Sequence, residues 1–173
     1  MKAAAKNDNA DLVNFCIHKG ADDFNGAMAW AAGGGHIKIV HLMIDHGAND
    51  FNEAMVRAAR GGGHIDVVHL MMDHGADGFN AAMVRAAKGG HIDIVHLMIE
   101  HGADGFNGAM HCAAGGGYMN IVRLMIDHGA NDFNEAMARA AEGGHIDVVF
   151  LMIDHGANEN AYEIVVNIND NKD

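Results

Sequence analysis

A Gly-Ala pair returns along this chain at Gly20, Gly47, Gly75, Gly102, Gly129 and Gly156, at intervals of 27, 28, 27, 27 and 27 residues. A fixed period of this size marks tandem copies of one supersecondary unit. A single copy cannot bury its apolar face, so the copies must stack into an array. The longer interval holds one more glycine, with Arg60-Gly61-Gly62-Gly63-His64 in the second unit against Lys88-Gly89-Gly90-His91 in the third.

The third unit, GADGFNAAMVRAAKGGHIDIVHLMIEH, predicts two helices, from about Phe79 to Lys88 and from about Ile92 to Glu100. The chain has no proline, so Gly89-Gly90 must break the helix between them, and Gly102 must end the second one. Asp50-Phe51-Asn52-Glu53 and Asp132-Phe133-Asn134-Glu135 read as capping boxes, in which the Asp accepts from a free N–H and the Glu reaches back; Asn52 is the competing cap. The first helix is apolar at Ala82, Met83, Ala86 and Ala87, small enough for close helix approach. The second, apolar at Ile92, Ile94, Val95, Leu97, Met98 and Ile99, reads as largely buried between neighbours.

The expected architecture is therefore all-α, one solenoid over residues 1–173 with five helix-loop-helix units at 20–155 and a cap at each end. Residues 1–19 align with the back half of a unit: Ala4-Ala5 fall on Ala31-Ala32, and Leu12-Val13 on Ile39-Val40. Residues 156–173 predict a C-terminal cap helix near Ala161–Ile168 and a tail from Asn169.

Half of the residues are hydrophobic, enough for a continuous core, yet the longest apolar runs are far too short to span a membrane. A formal charge of -12 argues against nucleic acid and anionic lipid as partners. The N-terminus turns polar at Asn7-Asp8-Asn9 before a signal-peptide core forms, and Cys16 and Cys112 read as reduced thiols. Those features together lead us to expect a cytoplasmic protein.

The second half of each unit resembles the ankyrin repeat. Gly90-His91-Ile92-Asp93-Ile94-Val95-His96-Leu97-Met98-Ile99-Glu100-His101-Gly102-Ala103 follows that family's G-H-x-x-I-V-x-L-L-x-x-x-G-A stretch, and Ala86-Ala87 its A-A. The resemblance spans about residues 4–160 and returns five times. Each unit is about six residues shorter than the family's 33, and Ala81-Ala82-Met83-Val84 stands where the family has T-P-L-H. The shortening falls where the family carries its β-hairpin, which is expected to be reduced or absent. Short units of this kind are similar to ankyrin-like proteins of giant DNA viruses. The column Phe24, Phe51, Phe79, Phe106 and Phe133 is expected to plug the turn left behind.

Comparing the five units separates positions that stacking fixes from positions free to change. Phe, Asn, Ala-Met, Ala-Ala, Gly-Gly, Val and Leu-Met are constant. The changing positions include three columns in a pattern: Gly26, Glu53, Ala81, Gly108, Glu135; then Trp30, Arg57, Arg85, Cys112, Arg139; then Gly33, Arg60, Lys88, Gly115, Glu142. They lie at i, i+4 and i+7, one face of the first helix. The resemblance places that face on the concave side of the stack. A partner-binding site is thus expected at Trp30, Glu53, Arg57, Arg60, Arg85, Lys88, His111, Glu135, Arg139 and Glu142. Arg57, Arg60, Arg85 and Lys88 form a basic patch, while Asp45, Asp73, Glu100, Asp127 and Asp154 make the other side acidic. The expected partner of a monomeric scaffold is another protein, through an acidic segment. The alternative is a structural solenoid associating end to end or into arrays.

The histidines fall in columns: His36, His64, His91 and His145 after the glycines, His41, His69 and His96 within the second helix, and His46, His74, His101, His128 and His155 at its end. Column neighbours stand about 8–10 Å apart, like any packed helices, too far to share zinc, so the roles are structural and no metal or other cofactor is expected. A pair such as His41 with Asp45 would hold a metal only weakly. No enzyme is expected: the chain has no serine or threonine, the adjacent His111 and Cys112 do not face each other on a helix, and Gly33-Gly34-Gly35 lacks the lysine of a phosphate loop. The methionine columns read as core.

Overall fold

A computed structural model describes residues 1–158. The C-terminal cap helix and tail expected from Ala161 onward lie outside those residues. The N-terminal half-unit is α1 (Lys2–Lys6) and α2 (Ala10–His18). Five helix pairs follow: α3 (Phe24–Gly33) and α4 (Ile37–Asp45), α5 (Phe51–Arg60) and α6 (Ile65–Asp73), α7 (Phe79–Gly89) and α8 (Ile92–Glu100), α9 (Phe106–Gly115) and α10 (Met119–Asp127), and α11 (Phe133–Glu142) and α12 (Ile146–Asp154). No strand occurs among the described residues, so the stack is all-α and carries no hairpin between units there.

Every second helix stops in the same way. Gly102, at φ +91°, turns the chain left-handed, and the Ala103 N–H donates back to the Met98 carbonyl at 3.0 Å. The turn between the two helices is set by a ring. His91 lies across Gly63 and Gly89, and Tyr118, which takes the histidine's place in the fourth unit, lies across Gly90 and Gly116. A methyl group on Gly90 would stand 2.4 Å from the Tyr118 ring, so the double glycine is the seat of the next unit's ring as well as a helix breaker. The extra glycine of the second unit is absorbed locally. There the closing bond runs from His64 N–H to Ala58 O at 3.3 Å, one residue longer than the His91 N–H to Ala86 O bond of the third unit.

The capping boxes form only in part. Asp50 accepts from the Glu53 N–H at 3.3 Å, as Asp23 does from Gly26 at 2.9 Å. Asp132 makes no such bond, and neither Glu53 nor Glu135 reaches back to its cap. The reason is that the cap's own N–H is already taken by the preceding unit: Asn25 Oδ1 accepts from Asp50 and Asn107 Oδ1 from Asp132. The constant asparagine is thus a strap between units rather than a cap. Asn80 Oδ1 accepts from the N–H groups of both Asp104 and Gly105, and the same pattern holds at Asn25, Asn52 and Asn107.

Both methionine columns are core: Met28, Met55, Met83, Met110 and Met137 on the first helices and Met43, Met71, Met98, Met125 and Met152 on the second are fully buried. Burying one such side chain contributes about 1.5–3 kcal/mol relative to leaving it in water. The paired alanines, such as Ala86 and Ala87, are buried too, and they let successive first helices pack directly along the stack. Successive second helices scarcely touch one another. The expectation that the second helix is largely buried is therefore half right: Ile94, Val95 and Met98 are buried, but Ile92, Leu97 and Ile99 are only half-buried because the next second helix stands away. Close packing on one row and separation on the other bends the array, with the first helices inside.

The phenylalanines are half-buried at the start of each first helix, and each ring meets the histidine that closes the same unit's second helix. Phe51 and His74 stack with centroids 5.0 Å apart, and Phe79 and His101 meet at 5.5 Å. The histidine is held by its own helix, since His101 Nδ1 lies 2.9 Å from the Leu97 carbonyl it donates to. The column thus closes the turn, with a histidine as its second wall.

Candidate partner-binding face

On each first helix the constant alanines and methionine point inward and the three varying columns outward. In α5, Ala54, Met55, Ala58 and Ala59 are buried, whereas Glu53, Arg57 and Arg60 reach solvent. The same split holds in the other four units, and no residue of the three varying columns is buried. All ten candidate residues therefore lie along one row of adjacent helices. His111, one position before Cys112, is at the edge of that row, four-fifths buried, with Nε2 3.3 Å from Asp132 Oδ2 but not aligned for a hydrogen bond.

The basic patch is less uniform than its sequence implies. Arg57 is committed within the chain: its Nε lies 2.5 Å from Glu53 Oε1, and its guanidinium is 4.7 Å from the centre of the Trp30 ring. Lys6 Nζ stands 5.2 Å from the same ring. Trp30, 37% exposed, is thus gripped by two cations, a geometry in which each attraction is worth about 0.5–1 kcal/mol at an exposed site. Arg60, Arg85 and Lys88 are exposed, and no carboxylate lies within 4.0 Å of them among the described residues. At the far end Arg139 pairs with Glu135 at 2.8 Å and with Glu142 at 3.6 Å. The face therefore passes from a free positive stretch in units two and three to a self-neutralised one in unit five. The opposite row exposes Asp45, Asp73, Glu100, Asp127 and Asp154, as expected.

Lys6 is the residue the sequence comparison missed. The half-unit alignment puts it in the third varying column, with Gly33, Arg60 and Lys88, so carrying the columns into the N-terminal cap finds it. With Trp30, Arg57 and Arg60 it walls a groove of about 400 Å³ floored by Gly33 and Gly34. At the same end Lys2 pairs with Asp23 at 2.6 Å; that bond, helped by the Gly26 N–H, holds the Asp23 carboxyl below its ordinary value.

Among the described residues no three His, Cys, Asp or Glu side chains converge, and Cys16 and Cys112 are separate free thiols. No described helix is long and apolar enough to cross a membrane.

A family model described as ankyrin repeats (3 copies) matches residues 1–82 and again 83–163. The chain belongs to the ankyrin repeat family. Ankyrin repeats are generally protein-interaction modules, typically scaffolds rather than enzymes. The comparison with curated proteins gives no match.

Proposed function

We propose that this ankyrin repeat protein is a non-enzymatic scaffold that binds an acidic segment of a partner protein on its inner face of first helices. One observation carries the reading. Three of the columns that differ among nearly identical units share one solvent-facing row on the first helices, and at its centre Arg60, Arg85 and Lys88 are cations without a counter-charge in the described chain. Three unpaired cations on a row of a chain with formal charge -12 form an island of opposite sign, which steers and orients an acidic partner. Trp30 and Arg57 flank the island as the rigid, large-area residue types that dominate interface energetics. Glu53, paired with Arg57, and Glu135, Arg139 and Glu142, paired among themselves, set register along the groove, and His111 lines its far part.

The test is capture from a lysate with the wild type and with the triple variant Arg60→Ala, Arg85→Ala, Lys88→Ala, each at two salt concentrations. The reading expects partners that carry acidic segments, are lost from the variant and weaken with salt. An unchanged set of captured proteins removes it.

A second reading, association end to end, is favoured by apolar side chains near both ends: Leu12 and Phe15 are 45% and 58% exposed, and Ile146 and Phe150 are 48% and 58% exposed. Light scattering over a range of protein concentrations separates the two, because a scaffold keeps one mass and a self-stacking protein grows.

A further inference from the structure

Units one and four share a feature that the other units lack: glycine in both the first and the third varying column, Gly26 and Gly33 in one, Gly108 and Gly115 in the other. Between those glycines unit one carries Trp30 and unit four carries Cys112. The two surroundings match in their glycines and in their flanking cations. Trp30 is gripped by Lys6 from the preceding unit and Arg57 from the following one; Cys112 has Lys88 and Arg139 in those same places. Arg57 is held by the glutamate four residues earlier, and so is Arg139. A Cβ on Gly33 would meet the Cβ of Arg57 at 3.5 Å, and one on Gly115 that of Arg139 at 3.6 Å, so the helices stand in the same register. What differs is the ring, with His111 standing where unit one has Ala29 and Glu142 where unit two has Arg60. The groove beside Trp30 holds about 400 Å³, and its counterpart over Cys112 about 720 Å³.

We infer that the notch over Cys112 is an aromatic-side-chain receptor, in which a partner's tryptophan stands between Lys88 and Arg139 as Trp30 stands between Lys6 and Arg57. The fit follows from charge and shape together. A π-face attracts a cation on either side, the glycines let a flat ring approach the helix backbone closely, and Glu142 on the rim, where unit two has Arg60, offers an acceptor to an indole N–H. Lys88 belongs to both this notch and the free basic stretch, so an acidic segment lying along Arg60 and Arg85 runs directly into it. The inference rests on the reading that the inner face receives a partner, and it specifies one anchor of that partner.

N-acetyl-tryptophanamide, an uncharged probe, titrated into isotope-labelled protein reads the site directly by amide chemical shifts. The expected result is saturable shifts at Gly108, Cys112 and Gly115, absent with N-acetyl-alaninamide. Cys112→Trp fills the notch with the chain's own indole and abolishes them. Lys88→Met and Arg139→Met each weaken binding about two- to five-fold. In a Trp30→Phe, Cys112→Trp variant the new indole is quenched by acrylamide to the same extent as Trp30 in the wild type. Shifts that survive Cys112→Trp, fail to appear, or arise equally with the alanine probe overturn the inference. Arg60→Ala, in unit two, lies outside the notch and leaves the neutral probe's binding unchanged, so loss of charge-dependent capture and loss of the aromatic site are read separately.

Discussion

Asn80 and Asp104, one unit apart, are joined twice: Asn80 Oδ1 accepts from the Asp104 N–H at 2.8 Å, and Asn80 Nδ2 donates to the Asp104 carboxylate at 2.8 Å. Only a side-chain amide offers an acceptor and a donor in that arrangement, which is the physical reason the column Asn25, Asn52, Asn80, Asn107 and Asn134 does not vary. Replacing Asn80 with Ala leaves two backbone donors without their protein acceptor and is expected to cost about 1–3 kcal/mol. Urea unfolding of the variant measures it.

The same strap yields a finer contrast. Asn25 faces the neutral Asn49, whereas Asn80 faces the charged Asp104. Asn80→Asp sets two carboxylates together, and Asn25→Asp does not. The first is expected to be the more destabilising at neutral pH, and its excess penalty to shrink with added salt. Equal penalties at pH 7 would show that the donor arm of the strap carries no weight.

Glycine positions separate backbone strain from crowding. Gly102 sits at φ +91° with nothing within 4 Å of where a Cβ would be, while Gly90, at φ +79°, has the Tyr118 ring 2.4 Å away. Gly102→Ala is expected to cost about 1–2 kcal/mol from the left-handed backbone alone. Gly90→Ala must also push the ring aside, so its loss of melting temperature is the larger of the two.

Phe79 is half-buried and leans on His101 with centroids 5.5 Å apart. A fully buried Phe→Ala change costs about 3–5 kcal/mol, so Phe79→Ala is expected near or below the bottom of that range, about 2–3 kcal/mol. An unchanged melting curve would remove the column from the account of stability.

At the N-terminal end, hydrogen bonds from Lys2 and then from the Gly26 N–H lower the Asp23 carboxyl below its ordinary value. A lowered carboxyl stabilises the fold while it is ionised, so the contribution is whole above the ordinary carboxylate range and fades as the pH falls through the lowered value. Wild type should exceed Asp23→Asn in stability near neutrality and lose that lead in acid. The pair is half exposed, which keeps the difference small.

Much of this was legible in the chain. The glycine period set the units, and the helix limits of the third unit agree with Phe79–Gly89 and Ile92–Glu100 to within one residue. The two methionine columns sit where their spacing put them. What escaped was what depends on contacts between units. The asparagine read as a possible cap because capping is a local pattern, whereas its actual partners are about 25 residues away. Arg57 read simply as part of the basic patch because its charge is visible in sequence and its commitment to Glu53 and Trp30 is not. Lys6 escaped because the varying columns were not carried into a terminal half-unit whose loop differs, with Asp8 rather than glycine at positive φ.

Each asparagine strap reaches one unit onward and no further. A copy of the unit could therefore be spliced into the middle of the row, or cut out, without orphaning a bond anywhere else. The number of copies is free to drift by duplication, and a lineage can lengthen its grip on a partner by recopying a segment it already has.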